Sequence, residues 1–405
     1  MTNSEPVHSV LSVTAISATP LSPITESQSF TSIVDIESDA SNLDHPSFKL
    51  RYNRSNSISS NLSDYETPTG LPTIKVLGTG GTIASKGLTS HQTAGYEVDL
   101  TIEELINAIP DLSTTCQLEY EQVMNIDSKE ITHTEILTLY QKIQLDLLKY
   151  DGIVITHGTD TMEETAFFIQ STINTKKPIV FCGSMRPSTA ISSDGPMNLY
   201  QAIVIAAHRQ SKNRGVLIAL NDRIGSGFYI TKSNANSLDT FKSIGQGYIG
   251  NFINNEIRYF FPAAKPQGLT YFHISPNPQF PEIPILYAHQ GFNNNLIKVS
   301  IESLGAQGLV LATMGAGSMS EKTNQYLADL NLPPNFPIVY SKRSMDGMVP
   351  IGALPKVKAK NGEVGVLKNA IAGGYLNPQK CRLLLQLCLN EGYGLDEIKR
   401  VFKGV

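Results

Sequence analysis

The stretch Asp151–Gln170, D-G-I-V-I-T-H-G-T-D-T-M-E-E-T-A-F-F-I-Q, decides the fold prediction for the whole chain. Its β-branched run Ile153–Ile155 predicts a strand buried on both faces of a parallel sheet. Met162–Phe168 predicts the start of a helix, with Thr161 or Asp160 as its cap and acids in the first turn. Hydroxyl, imidazole and carboxylate groups therefore follow the end of a central strand, which is where open α/β sheets bind ligands. For any one of these residues, a simple polar helix cap is the plain alternative.

Strands and helices alternate on both sides of this stretch. The strands predicted around it are Pro72–Leu77, Tyr120–Met124, Pro178–Cys182 and Gly215–Leu220, and the helices include Thr134–Tyr150 and Pro196–His208. This alternation predicts an α/β fold with a doubly wound, mainly parallel, flavodoxin-like sheet. A smaller α/β unit is predicted from strands Ile285–Ala288, Gly308–Ala312 and Pro337–Tyr340 and from helices near Asn294–Leu304, Asn377–Asn390 and Leu395–Lys403.

Composition divides the chain into four predicted segments. Residues 1–70 contain 23 Ser or Thr against eight Asp or Glu and three Lys or Arg, so they bury too little apolar surface to offset their ordering entropy. We predict a disordered tail over 1–70, a larger N-terminal α/β domain over 71–265, a Pro- and Asn-rich linker over 266–284 and a C-terminal α/β domain over 285–405.

Charge and hydropathy narrow the classes of partner. The net charge is only −4 with no long basic run, which argues against nucleic acid, and no apolar run reaches membrane-spanning length. The N-terminus lacks a basic start followed by an apolar core, so we expect no signal peptide and a cytoplasmic protein. Four scattered cysteines without a C-x-x-C pair predict buried thiols, Cys182 in a strand and Cys388 in a helix.

A second polar turn follows the first strand. Gly78–Ser85, G-T-G-G-T-I-A-S, presents the hydroxyl of Thr82 just after a run of glycines. A dinucleotide fingerprint would need glycine at Ile83, and the lysine of a P-loop is missing. Thr82 is therefore either a turn threonine or a nucleophile at the edge of the sheet.

Two more residues complete a candidate set. Lys86–Gly95 is a polar loop with glycines near both ends, which suits a lid that brings the phenol of Tyr96 to Thr82; an ordinary surface loop is the alternative. Lys242 is either a solvated surface lysine or an amine held near Asp160.

The candidate set makes chemical sense together. A threonine hydroxyl is a weak nucleophile until a base removes its proton, and a lysine beside an aspartate, or a tyrosine, can do so. Backbone N–H groups at the glycine turn can hold an oxyanion. The chain has no G-x-S-x-G, no H-E-x-x-H and no metal-ligand spacing among its eight histidines, which weakens competing hydrolase chemistries.

At these residues the chain resembles the bacterial-type L-asparaginase family, close to its type II and fungal members. The resemblance covers about Ile74–Val405. It is carried by T-G-G-T-I-A-S at Thr79–Ser85, D-G-I-V-I-T-H-G-T-D-T-M-E-E-T-A-F-F at Asp151–Phe168, M-R-P-S-T at Met185–Thr189, S-D-G-P-M-N-L-Y at Ser193–Tyr200, T-F-K-S at Thr240–Ser243 and L-N-P-Q-K at Leu376–Lys380.

The resemblance implies an amidohydrolase that converts L-asparagine to L-aspartate and ammonia through a β-aspartyl-threonyl intermediate. It implies that Thr82 is the primary nucleophile, assisted by Tyr96. Thr159, Asp160 and Lys242 would form a second triad, in which the amine and carboxylate activate Thr159 or the attacking water. No metal or cofactor is implied, and members are usually homotetramers built as dimers of dimers.

The resemblance also implies the substrate-binding residues. Gly158, Ser128 and Asp160 would hold the α-amino and α-carboxylate groups of the substrate, and the peptide at Ser184 would face the amide. Lys129 stands where the family often has glutamine, so its ammonium either pairs with the substrate carboxylate or repels the α-ammonium. Lys129 therefore leaves the preference for asparagine over glutamine open. Any glutaminase activity is expected to be the lesser activity.

Further expectations concern assembly and competing functions. Family members often receive a glutamate from a neighbouring subunit, for which Glu363 is the candidate here. An asparaginase-like subunit of a tRNA-dependent amidotransferase would carry a folded N-terminal domain, unlike the predicted tail. A silent asparagine sensor would have lost a triad residue, and none is lost in this sequence.

Overall fold

The structure is a computed structural model that describes residues 70–93, 95, 97–359 and 362–405. Predictions about the tail over 1–69 and about Tyr96 lie outside the described residues. The described part contains an eight-stranded and a four-stranded sheet, each with helices packed against it, and three two-stranded sheets.

Eighteen strands and eight α-helices follow one another along the described residues. The strands are β1 Thr73–Gly80, β2 Ser85–Lys86, β3 Glu97–Val98, β4 Gln117–Ile126, β5 Gly152–Thr156, β6 Ile179–Cys182, β7 Val216–Leu220, β8 Arg223–Ser226, β9 Thr231–Lys232, β10 Phe241–Lys242, β11 Gly250–Ile253, β12 Glu256–Tyr259, β13 Ile285–Tyr287, β14 Leu309–Thr313, β15 Ile338–Lys342, β16 Lys356–Lys358, β17 Val364–Val366 and β18 Ala370–Ala372. The helices are α1 Ile102–Asn107, α2 His133–Asp146, α3 Met162–Thr172, α4 Gly195–Ala207, α5 Asn295–Glu302, α6 Glu321–Asp329, α7 Pro378–Asn390 and α8 Leu395–Lys403.

The large sheet has eight strands in the order β12-β11-β8-β7-β6-β5-β1-β4. The five strands from β7 to β4 in that order are parallel, and β8, β11 and β12 extend the sheet as antiparallel strands. The predicted α/β class with a mainly parallel sheet is therefore confirmed.

Alternation along the buried strands divides the core into two layers. Val154 and Val180 pack with Leu199 and other residues of α1 and α4 on one face of the sheet. Ile155 and Phe181 face the other way, into the core that contains α2 and α3. Because successive strand residues point to opposite faces, these continuous apolar runs need helices on both sides, which is the doubly wound arrangement.

The smaller sheet has the order β13-β14-β15-β18, and all its pairs are parallel. Helices α5 and α6 cover one face, whereas α7 lies against the other face and also contacts α3 beneath the large sheet. The C-terminal part of the chain is thereby packed directly against the helix that starts after β5.

Helix starts follow local sequence signals. Thr101 and Thr132 each cap a helix through a capping box with the glutamate three residues on. Asn377 caps α7 by accepting from the N–H of Lys380, with Pro378 at the first helical position. Cys182 and Cys388 are buried thiols, as predicted.

Some local predictions differ from the structure. Thr161 precedes α3 but makes no side-chain cap; its hydroxyl donates instead to the carbonyl oxygen of Ser128 at 2.8 Å. The strand predicted at Tyr120–Met124 extends over Gln117–Ile126, and helix α6 was not predicted because it follows a Gly- and Ser-rich run. None of the helices among the described residues combines the length and hydropathy needed to cross a bilayer.

Candidate active site

Four strand ends meet at one edge of the large sheet. Strands β6, β5, β1 and β4 are consecutive neighbours and parallel, so their carboxyl ends lie side by side. These ends lead into Ser184, Thr159, Thr82 and Ser128 respectively. The sheet order therefore brings together four hydroxyl residues that are far apart in sequence.

The turn after β1 places Thr82 against the turn after β5. Gly81 has φ +83°, and a Cβ atom added to it would lie 2.2 Å from the Cα of Gly158. Only glycine tolerates both that conformation and that contact. The N–H of Gly81 donates to Ile126 at 3.0 Å, which ties the same turn to β4. Thr82 then begins a short 3₁₀ turn and is half-buried.

The turn after β5 carries the two residues that follow Gly158. Thr159 is almost fully buried, with 4% of its surface exposed, whereas Asp160 is exposed. A Cβ on Gly158 would lie 2.6 Å from the Oγ of Ser128, so this turn also contacts the end of β4. Ser128 Oγ is buried and has no hydrogen-bond partner among the described residues. A buried hydroxyl in that state is a candidate contact for a polar ligand.

Lys232 supplies the amine of the site. Its Nζ donates to Thr159 Oγ1 at 3.0 Å and to Asp160 Oδ1 at 2.5 Å. The side chain of Lys232 is 16% exposed and that of Asp160 is 61% exposed, so the amine is shielded from water and the carboxylate is not. An amine held between a hydroxyl and a carboxylate can take the hydroxyl proton when it is neutral and return it later.

The expectation that Lys242 lies beside Asp160 does not match the structure. Lys242 Nζ pairs with Asp239 at 2.9 Å, and that contact raises the pKa of the exposed Lys242 ammonium. In the β9–β10 pair, buried Phe241 is the partner of Lys232, and Lys242 is the partner of Thr231. Because neighbouring strand residues point to opposite faces, Lys232 and Lys242 cannot both face the site.

Lys129 lies at the rim of the site. It is exposed, and its Nζ pairs with Asp127 at 3.2 Å. The Asp127 contact, with a smaller contribution from the charge of Asp160, raises the pKa of the Lys129 ammonium. Lys129 is therefore a cation at neutral pH on the same side as the exposed Asp160.

Ser184 lies in a loop that is organised by a half-buried acid, Asp194. Asp194 accepts from the N–H groups of Met185 and Arg186 at 3.0 Å, and Asn198 donates to the carbonyl oxygen of Gly183 at 2.9 Å. Burial raises the pKa of the Asp194 carboxyl, and these N–H donors act against that rise. Ser184 is fully buried and donates to Arg186.

His157 lies in the turn after β5, and its side chain contacts that turn and α3. Its ring nitrogens lie 2.7 Å from the carbonyl oxygen of Gly158 and 3.0 Å from Thr165 Oγ1. Complete burial lowers the pKa of His157 to about 4, so the ring is neutral at physiological pH. Its contacts hold the turn against α3.

The acids predicted in the first turn of α3 are buried or half-buried there, which was not expected. Glu163 is buried and accepts from Asn377 and Gln379 at the start of α7. Burial, with the charge of Glu163 added, raises the pKa of Glu164 to about 7. The signal was a pair of acids next to the apolar run Ala166–Ile169, which leaves little room for solvated carboxylates.

The remaining predicted residues have less defined surroundings. Residues 87–95 connect the paired strands β2 and β3, and Tyr96 lies outside the described residues. Glu363 is exposed beside the turn that joins β16 to β17. Among the residues that the structure describes, no three His, Cys, Asp or Glu side chains are grouped so as to hold a metal ion.

Known proteins share both halves of this architecture. A family described as "Asparaginase, N-terminal" matches residues 73–265, and one described as "Glutaminase/Asparaginase C-terminal domain" matches residues 282–402. L-asparaginase 2-3 of Saccharomyces cerevisiae is 50% identical over 346 residues, which are 84% of this chain and 92% of the yeast protein. L-asparaginase 2 of Escherichia coli is 40% identical over 335 residues, which are 82% of this chain and 93% of that protein.

A solved structure matches as well. The crystal structure titled as a probable cytoplasmic L-asparaginase from Campylobacter jejuni has a TM-score of 0.74 and 34% identity. It covers 82% of this chain and 100% of its own.

Proposed function

The chain belongs to the asparaginase family of amidohydrolases, and from that premise we propose that it hydrolyses L-asparagine to L-aspartate and ammonia by threonine nucleophilic catalysis. One observation carries the proposal: the Nζ of Lys232 contacts both Thr159 and Asp160 at the strand end nearest the Thr82 turn. Two hydroxyls, an amine and a carboxylate in one place suit acyl transfer from an amide.

In the proposed reaction, Thr82 attacks the side-chain amide carbon of asparagine. Its oxygen bonds to that carbon, the carbon–nitrogen bond breaks, and the hydroxyl proton leaves with the nitrogen as ammonia. Water then adds to the resulting β-aspartyl ester, the bond to Thr82 breaks, and aspartate is released. Backbone N–H groups of the glycine turn would stabilise the oxyanion formed in each step.

We assign the proton transfers to Thr159, Asp160 and Lys232. Lys232 replaces Lys242 in this triad, because the Nζ of Lys232 contacts Thr159 and Asp160. The Nζ of Lys242 pairs with Asp239 instead. Tyr96 remains a proposed assistant of Thr82, carried on a lid over residues 86–95.

We further propose how the substrate is held. Ser128, whose buried hydroxyl has no partner among the described residues, would bind the α-carboxylate, and Asp160 would bind the α-ammonium. The backbone at Gly158 and the peptide at Ser184 would complete the pocket. Lys129 would add a cation near the α-carboxylate. Asparagine and glutamine share these α-groups, so Lys129 should affect the binding of both substrates alike. Separately, we propose that glutamine is the poorer substrate.

Location and assembly are proposed on the same premise. The solved structure titled as a probable cytoplasmic enzyme supports action in the cytoplasm. We also propose a homotetramer built as a dimer of dimers, in which Glu363 of one subunit reaches the site of another. No cofactor is part of the proposal.

The test is ammonia release by the purified full chain with asparagine and glutamine in parallel. Thr82→Ala and Thr159→Ala should each lower kcat for asparagine by at least about 10²-fold, since each loses a group that acts in the chemical step. Lys129→Gln should raise KM for both amides a few-fold and leave their ratio unchanged. If the wild-type protein binds asparagine in calorimetry but releases no ammonia, the proposed enzymatic activity is refuted. The protein would then be an asparagine sensor.

A further inference from the structure

One lysine of helix α7 is almost completely buried. Lys380 is 1% exposed, and its Nζ donates to the carbonyl oxygens of Gly227 at 3.5 Å, Phe228 at 2.9 Å and Ile230 at 2.5 Å. Burying an ammonium is costly, and three carbonyl dipoles offset part of that cost. Burial lowers the pKa of Lys380 to about 8, which leaves it mainly charged at pH 7.

The three carbonyls lie just before the strand that carries Lys232. Ile230, the nearest of them, directly precedes β9, whose two residues are Thr231 and Lys232. Among the described residues, β9 pairs with the equally short β10 alone, in a two-stranded sheet. A ladder of that length does not hold its own position, so the segment needs an external anchor.

The same turn of α7 also contacts the helix after Asp160. Asn377 Nδ2 donates to Thr231 Oγ1 and to Glu163 Oε2, each at 3.3 Å. Glu163 belongs to the first turn of α3, three residues after Asp160. One helical turn therefore touches both segments that supply the amine, hydroxyl and carboxylate of the site.

We propose that this turn of α7, with Lys380 as its main contact, is a positioning device that holds Lys232 against Thr159 and Asp160. Lys380 is a positioning residue, since it acts through the backbone of Gly227–Ile230. Only the kinetic consequence of this inference, a loss of kcat, rests on the proposed function. A shift of about 1 Å in Lys232 would disrupt the proton transfers and leave the Ser128 contact with substrate in place.

A matched control separates positioning from simple stabilisation. Lys342 is also a buried lysine, with 3% of its surface exposed, and burial lowers its pKa too. Its Nζ donates to the carbonyl oxygen of Tyr375 at 2.8 Å, within the smaller α/β unit. Lys342 lies near Lys380, but its hydrogen bond goes to Tyr375, so replacing it removes a buried ammonium and no hydrogen bond to residues 227–232.

The kinetic experiment compares Lys380→Met with Lys342→Met in the full chain, well below the unfolding temperature of each variant. We expect Lys380→Met to lose at least about tenfold in kcat for asparagine with KM within threefold, and Lys342→Met to keep kcat within threefold. Equal kcat losses in the two variants, or a wild-type kcat in folded Lys380→Met, would overturn the proposal.

A second measurement does not depend on asparagine turnover. Amide hydrogen exchange followed by mass spectrometry should show peptides from residues 227–243 exchanging at least tenfold faster in Lys380→Met than in wild type or Lys342→Met. Unchanged exchange there would refute the positioning role. If wild type releases no ammonia, the proposed function fails, and this measurement still decides whether Lys380 anchors the segment.

Discussion

The turns that end β1 and β5 and the β9–β10 hairpin supply the same site, yet they are held in different ways. The two turns follow strands buried within the large sheet, and the glycines Gly81 and Gly158 contact each other directly. The hairpin has two-residue strands. The segment Gly227–Ile230 that leads into it is anchored by Lys380, which lies 150 residues after Ile230 in the sequence.

The site residues are therefore positioned in two different ways. Sheet neighbours fix the turns, because each strand is hydrogen-bonded on both sides. The hairpin depends on contacts with a distant helix, so its position responds to changes in the C-terminal part of the chain. Substitutions in the two regions should therefore differ in kind as well as in size.

The largest expected effect is on the rate, and it tests which hairpin lysine faces the turns. Lys232→Met should lower kcat/KM for asparagine by about 10²–10⁴-fold, because it removes the amine between Thr159 and Asp160. Lys242→Met should stay within about twofold, since it loses an exposed ion pair with Asp239. Steady-state ammonia release measures both, and a larger loss in Lys242→Met would reverse the assignment.

The next effect is on stability and tests the contact between the turns. Gly81→Ala combines a left-handed backbone with overlap against Gly158, and it should lower the free energy of unfolding by about 2–4 kcal/mol. Gly247 has a similar φ of +77° but open space around it, so Gly247→Ala should cost only about 1–2 kcal/mol. Urea unfolding gives both values. Equal costs would mean that the turns yield to each other more readily than their spacing suggests.

The smallest effect is a pH dependence within the β5 turn. The folded-state pKa of His157 is about 4, below its ordinary value of 6.5, so the unfolded chain binds this proton more readily. Stability is therefore present above pH 6.5 and is lost as pH falls towards 4, by about 2 kcal/mol between pH 7 and pH 5.

A His157→Gln variant isolates that contribution. The variant should lack this part of the pH dependence, whatever constant cost the substitution adds at all pH values. Unfolding free energies measured at pH 7, 6 and 5 in both proteins give the difference in slope. Parallel curves would show that protonation of His157 is not linked to folding.

The sequence was sufficient to predict where the turns after β1 and β5 lie in the sheet. Thr82, Thr159 and Asp160 follow apolar runs that predict buried strands, and parallel strands align their carboxyl ends at one edge. The direct contact between Gly81 and Gly158 was not predicted, because a glycine in a turn does not show which backbone approaches it. Catalytic roles for these residues remain predictions.

Sequence was insufficient for the hairpin. T-K at Thr231–Lys232 and F-K at Phe241–Lys242 both place a lysine after a residue of high β-propensity, and only the pairing register decides which lysine faces the site. The usable signal was Phe241, since a buried aromatic next to Lys242 implies that Lys242 points the other way. The contact of Lys380 with residues 227–230 carries no local signal at all.

The nature of the Lys380 contacts has a consequence for how this position can change during evolution. Its partners are main-chain carbonyls, which every amino acid possesses, so no second-site replacement can restore what a new residue at 380 removes. The neighbouring Asn377–Glu163 contact joins two side chains, and such a pair can be exchanged together. Variation across descendants of this sequence should therefore be correlated at positions 163 and 377, with position 380 fixed and correlated with none.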